Sequence, residues 1–125
     1  MRILIDTQIV YWAHYEPEKL PPTARRYMDD AAAVYVSAAS LWEIAIKGKL
    51  RKLKANPVEL LAKMEIAGMR ELLVFARHTL LVAELPLLHT DPFDRILIAQ
   101  AISEPLRLLT SDSRIKQYSD LVIQV

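Results

Sequence analysis

The chain has 125 residues, a hydrophobic fraction of 53%, two glycines and no cysteine. This describes one folded domain with room for a core, and it excludes a disordered chain, a disulfide scaffold and a thiolate metal site. A formal net charge of +1 argues against a general nucleic-acid coat, yet it leaves room for an acidic pocket with a local basic rim.

The elements follow in chain order. Arg2–Ile5 is short, apolar and bounded, which predicts a buried strand. A short helix is expected over Gln8–Ala13. Three prolines in Tyr15–Pro22 exclude a regular helix and predict a loop. Thr23 is placed to cap a helix through Asp30, and Ala33–Ser37 has the valines and tyrosine of a second strand. Ser40-Leu-Trp-Glu43 has capping-box spacing for a helix to Lys47, with Gly48 as its stop. Asn56-Pro57 signals cap and first position of a helix to Ala67. Glu71–Phe75 reads as a third strand and Arg77–Ala83 as a short helix. Asp91-Pro92 repeats the cap-plus-proline signal before an apolar helix to Ser103. Leu106–Leu109 is the fourth strand and Leu121–Ile123 a fifth at the edge. Alternating strands and helices predict an α/β domain, a parallel sheet of four to five strands with helices on both faces.

Asp6 interrupts the first apolar run, so no signal peptide is expected, and no uncharged apolar stretch is long enough to span a bilayer. The expectation is a soluble cytoplasmic protein.

Four acids stand out. Asp6 and Asp112 each follow a strand, and the carboxyl ends of strands form the binding crevice of an open parallel sheet. Glu43 and Asp94 open helices. Each also has an ordinary reading as a cap, a capping-box partner or a first-turn acid. If the four converge at about 6 Å, each pair repels by roughly 2.8 kcal/mol at an effective dielectric near 20. Six pairs total roughly 17 kcal/mol, comparable with a domain's whole stability of about 5–15. Such a cluster takes up protons or a cation, and an all-oxygen site suits Mg²⁺ or Mn²⁺.

The segments Met1-Arg-Ile-Leu-Ile-Asp6-Thr7, Ser40-Leu-Trp-Glu43-Ile, Asp91-Pro-Phe-Asp94-Arg95 and Leu109-Thr110-Ser111-Asp112 resemble, in order and spacing, the PIN-domain nucleases. Within that family the nearest resemblance is to the VapC-like toxins of toxin–antitoxin modules. It covers essentially residues 1–125 as one PIN-like nuclease domain. The resemblance implies Asp6, Glu43, Asp94 and Asp112 as catalytic and metal-binding acids around Mg²⁺ or Mn²⁺. Asp91 is read mainly as a cap, with a place around the metal beyond the direct ligands as the alternative; Thr7 and Thr110 read as hydroxyls orienting carboxylates or as strand-end hydroxyls satisfying the local backbone. Many toxins of this branch look like Asp-Thr-His at the start, where this chain has Asp6-Thr7-Gln8; Gln8 cannot titrate near neutrality.

Other residues carry open alternatives. Lys47, Lys49, Arg51 and Lys52 lie in the densest basic run, either a rim for RNA phosphates or a solvated helix end. Arg95 could contact phosphate or pair with a carboxylate. His14, His78 and His89 lack ligand spacing and read as ordinary histidines. Tyr11, Trp12 and Tyr15 suit either core or a partner interface. The resemblance implies a cognate antitoxin near the N-terminal helices and a homodimer or toxin–antitoxin hetero-oligomer. It also implies a Mg²⁺/Mn²⁺-dependent endoribonuclease that cleaves cellular RNA and halts translation. The alternatives are a Mg²⁺-dependent phosphatase or phosphotransfer domain, or a non-catalytic binding module of the same fold. Asp6-Thr7-Gln8 lacks the second Asp usual near the first strand of aspartyl-phosphate phosphatases.

Overall fold

A computed structural model describes residues 1–125. Five strands, β1 (Arg2–Ile5), β2 (Ala33–Ser37), β3 (Arg70–Leu72), β4 (Arg107–Thr110) and β5 (Val122–Gln124), form one sheet in the order β3-β2-β1-β4-β5. Every pairing is parallel. The helices are α1 (Thr7–Tyr15), α2 (Pro22–Asp30), α3 (Ala38–Lys49), α4 (Pro57–Ile66), α5 (Ala76–Glu84), α6 (Pro92–Ser103) and α7 (Ser113–Lys116). No helix is long and apolar enough to cross a membrane.

The central strand explains the layering. Side chains alternate along a strand, so Ile3 and Ile5 face one side and Leu4 the other. Ile3 and Ile5 join a core with Ile9 and Val10 of α1, Ala24 of α2, Ile44 of α3, and Leu60 and Met64 of α4. Leu4 joins a second core with Leu97, Ile98 and Ala101 of α6, Leu108 of β4, and Ile115 of α7. All three β1 side chains are fully buried, which is why this run lacks a polar alternation.

The chain winds from β1 outward to β3, then crosses back to lay β4 on the other side of β1. The strand order therefore reverses between β1 and β4. The bond from Asp6 N–H to Leu109 carbonyl, at 3.1 Å, carries the ladder to the end of both strands. Asp6 and Asp112 leave the sheet at this switch point, where α/β sheets place their ligands.

Several local expectations are corrected. Helix α3 starts one turn earlier than the Ser40 capping box predicts, because Ser37, the last residue of β2, already caps it by accepting the Ala39 N–H at 3.0 Å. Ser40 lies inside the helix, and Glu43 is a mid-helix side chain. Thr23 does not cap α2, which begins at Pro22 behind Pro21, the fixed φ of proline suiting the first turn. Gly48 stays helical, packed so that a Cβ would lie 3.1 Å from the Ala55 carbonyl. The left-handed residue after α3 is Arg51, at φ 58°. The caps at Asn56 and Asp91 form as the sequence predicts, each carboxyl or amide oxygen taking two backbone N–H groups.

Candidate metal and active site

A cleft of about 290 Å³ opens at the switch point, lined by Asp6, Glu43, Asp91, Asp94 and Asp112 together with Lys47 and Arg114. All four acids of the predicted set meet there. Each is delivered by a different element: Asp6 by the end of β1, Asp112 by the end of β4, Glu43 by the second turn of α3, and Asp94 by the first turn of α6.

Asp6 is the deepest. One oxygen accepts the Ile9 N–H at 2.8 Å as the α1 cap, and Oδ2 accepts a short hydrogen bond from the Thr110 hydroxyl. Burial pushes its carboxyl up to about 7, against the lowering effect of the Thr110 and Ile9 bonds; the nearby Asp94 and Asp112 raise it further. Without a counter-charge, a residue that is ordinarily anionic thus stays substantially protonated at neutral pH.

Glu43 is buried, and its two oxygens differ. Oε2 pairs with Lys47 at 2.7 Å, while Oε1 is buried without any hydrogen-bond partner. A buried carboxylate oxygen left bare is costly. Burial also raises Asp94, offset by its bond to His89 and reinforced by Asp91. Asp112 behaves oppositely: Arg114 holds its carboxyl below the usual range by hydrogen bonds from its side chain and backbone. Asp112 also caps α7 through the Arg114 N–H at 2.8 Å.

These donors are all carboxylate oxygens, one buried and unpartnered, another raised by burial to about 7. That is the chemistry of a divalent-cation site, and the residues present fit it. Asp91 lines the cleft, but its Oδ1 is spent capping α6 through the Phe93 and Asp94 N–H groups.

The supporting residues divide. Thr110 does orient the acids, donating to Asp6 and accepting the Asp112 N–H at 3.0 Å. Thr7 does not: its hydroxyl donates to Ser40 Oγ at 2.9 Å and ties α1 to α3. Of the basic run only Lys47 lines the cleft; Lys49, Arg51 and Lys52 are exposed and lie outside that lining. Gln8 lines the cleft beside Asp6. Tyr11 belongs to the core, stacked on Tyr15 at 5.1 Å, with Trp12 packed against the same cluster. His14 lies 3.3 Å from the Met69 sulfur, and His78 pins α5 to Glu104 at 2.7 Å.

Arg95 takes neither predicted role. It is buried, and its guanidinium donates to the carbonyls of Val82, Leu85, Pro86 and His89 and to the Tyr118 hydroxyl, at 2.9–3.3 Å. It stitches the segment between α5 and α6. Arg95→Ala is expected to lower stability by about 3 kcal/mol, since it removes one charged donor shared by four carbonyls and a hydroxyl at mostly part-buried positions; urea denaturation measures this. A loss under 1 kcal/mol would mean that water satisfies the carbonyls instead.

Two residues of the site escaped the sequence reading. Arg114 reads as an ordinary residue of a short helix. His89 reads as isolated, yet its Nε2 lies 2.7 Å from Asp94 Oδ2, and ligand atoms of His89, Asp94 and Asp112 lie within 4.8 Å of one another. The available signal was its position two residues before Asp91 and five before Asp94.

The sequence profile of the PIN domain matches residues 3–121, and the chain belongs to the PIN domain family. It is similar to Ribonuclease VapC22 of Mycobacterium tuberculosis, 29% identical over 122 residues covering 93% of this chain and 91% of that protein. Its fold is that of FitAcB from Neisseria gonorrhoeae (TM-score 0.70, 17% identity, 98% of this chain and 96% of that one). It is also that of VapBC2 from Rickettsia felis, solved with a promoter DNA fragment (TM-score 0.69, 19% identity, 100% and 98%). The Mycobacterium tuberculosis toxin VapC20, described as cleaving the sarcin-ricin loop, shares it as well (TM-score 0.63, 16% identity, 98% and 99%).

Proposed function

We propose that this chain is a Mg²⁺- or Mn²⁺-dependent endoribonuclease and the toxin of a toxin–antitoxin pair. The observation that carries the reading is the convergence of Asp6, Glu43, Asp94 and Asp112 on one cleft at the sheet's switch point, in a chain of this family.

These four carboxylates would hold the ion. When bound, it polarises the scissile phosphate and lowers the pKa of an attacking water. The protein's own groups do the rest. Thr110 holds Asp6 in place, and burial, which raises the Asp6 carboxyl to about 7, makes its ionised form the one a bound cation would favour. An ionised carboxylate of the quartet accepts the proton of the attacking water. Lys47 and Arg114, paired to Glu43 and Asp112 on the cleft wall, are the cations placed to face substrate phosphate. Water oxygen bonds to phosphorus as the P–O3′ bond breaks, the 3′-oxygen takes up a proton, and the products carry a 5′-phosphate and a 3′-hydroxyl.

The antitoxin's place is the groove between α1, α2 and α4, of about 480 Å³, lined by Ala13, Met28, Ile66 and Met69 with Arg25 and Lys63 on its edge. Relatives of this fold were solved as toxin–antitoxin complexes, and this reading makes the protein cytoplasmic. A second copy would cover the exposed Trp42, which packs edge-on against Phe93.

The test is RNA cleavage with Mg²⁺ or Mn²⁺, with and without chelator, followed by mapping of 5′-phosphorylated ends. Cleavage that persists in EDTA, or in Asp112→Ala, would remove this mechanism.

A further inference from the structure

His89 has no part in the reading above, yet it sits against one of the four acids. It is buried, and its backbone is held on both sides. Its N–H donates to the Tyr118 hydroxyl at 2.8 Å, as does the N–H of Leu88 at 3.1 Å. Its carbonyl accepts from Arg95 at 3.3 Å and lies 3.2 Å from the Tyr118 hydroxyl, whose single proton has its shorter contact with the Pro86 carbonyl at 2.8 Å. Arg95 also gathers the Val82, Leu85 and Pro86 carbonyls. A five-donor guanidinium and a phenol thus organise an otherwise exposed loop around one imidazole.

That imidazole meets a single oxygen of the quartet, Asp94 Oδ2, at 2.7 Å. An ionised carboxylate has no proton to give, so the ring must donate through Nε2–H. Oδ1 is left as the Asp94 oxygen without a protein donor. A carboxylate on the first turn of a helix would otherwise rotate about its terminal bond, which has broad, soft preferences.

We infer that His89 is the positioning residue for Asp94, its caged Nε2–H fixing Oδ2 so that Oδ1 alone is offered to a divalent cation. The inference rests on the metal-site reading above. Donors of this kind orient metal-binding groups, and losing one lowers affinity about 10- to 100-fold.

The experiment is Mn²⁺ titration of the full-length protein by calorimetry, with melting of the metal-free protein and pulsed electron paramagnetic resonance of the Mn²⁺ complex. The variants are His89→Ala and His89→Gln, since the glutamine amide carries an N–H close to where Nε2–H lies. The expected results are a loss of about 10- to 100-fold for His89→Ala and affinity within about threefold of wild type for His89→Gln. Resonance should show no histidine nitrogen coupled to Mn²⁺. Should His89→Ala fail to fold, the glutamine variant and the nitrogen coupling decide. Nitrogen coupling in the wild type, or equal losses in both variants, would make His89 a ligand and overturn the positioning role. Unchanged affinity in both would remove His89 from the site. A wild-type protein that binds no Mn²⁺ would instead overturn the metal-nuclease reading, and this inference with it.

Discussion

Asp6→Asn is expected to abolish RNA cleavage and, in the same molecule, to make the metal-free protein more stable. Cleavage should fall by about 10³-fold or more, roughly 4 kcal/mol of transition-state stabilisation, because a neutral amide neither neutralises a cation nor completes the acidic set. The stability change has the opposite sign. Burial raises Asp6 to about 7 from an ordinary 3.8, so the folded protein holds a proton that the unfolded chain has lost over this interval. Stability associated with Asp6 is therefore fully present below pH 3.8, declines as pH rises, and is gone above about pH 7. Asparagine carries no such proton; its one carbonyl oxygen can still accept the Ile9 N–H, while its amide N–H turns to the Thr110 hydroxyl oxygen as a donor. At pH 8, in chelator, the variant should exceed wild type by on the order of 2–4 kcal/mol, and the difference should vanish near pH 4. Urea denaturation across that range measures it. A variant that gains nothing at pH 8 would show that Asp6 is solvated and ionised in the fold.

Thr110→Val is expected to weaken Mn²⁺ binding in a pH-dependent way. The hydroxyl donates to Asp6 and accepts the Asp112 N–H, so one side chain aligns the two acids at the ends of β1 and β4. Its bond also lowers the Asp6 carboxyl. Valine fills the same space without the hydroxyl, and Asp6 then moves further above neutrality. Protons compete with the ion, so affinity at pH 7 should fall roughly 10- to 100-fold. At pH 9 much of the loss should return, because Asp6 is ionised in both proteins. Thr110→Ser, which keeps the hydroxyl, should remain close to wild type. A loss of equal size at both pH values would assign the effect to the Asp112 backbone contact alone.

What could be read in the sequence was whatever short-range chemistry fixes. Asn56-Pro57 and Asp91-Pro92 announce their helices because cap and first turn are neighbours, and the structure shows both caps made. The buried β1 strand and the parallel sheet follow from unbroken apolar runs separated by helices. Asp6, Asp94 and Asp112 were legible because each ends a strand or begins a helix, so topology sends them to one edge of the sheet; Glu43, inside α3, reaches the same edge from the second turn of its helix. Errors arose where a short motif had two possible registers. Ser40 and Glu43 satisfy capping-box spacing, but Ser37 caps α3 one turn earlier. That places Glu43 inside the helix, where it lines the cleft and keeps one buried oxygen unpartnered. The roles of Arg95 and His89 were out of reach for a different reason. Arg95 chooses its partners from a loop 6 to 13 residues away and from a tyrosine 23 residues on. No local pattern encodes that choice. Lys47 separates from Lys49, Arg51 and Lys52 only because the α3 helix turns it toward Glu43.

The bond between Thr110 and Asp6 joins residues 104 positions apart, and this bears on when the protein becomes active during its own synthesis. Neighbours β1 and β2 can pair early, but the cleft closes only when β4 inserts beside β1. Until then Asp6 has no Thr110, and neither Asp94 nor Asp112 stands opposite it. An emerging polypeptide, or one cut short before residue 107, thus carries Asp6, Glu43 and Asp94 without Asp112 and without the Thr110 hydroxyl that fixes Asp6. The order in which the strands arrive therefore sets the earliest moment at which the complete acidic cleft can exist on a growing chain.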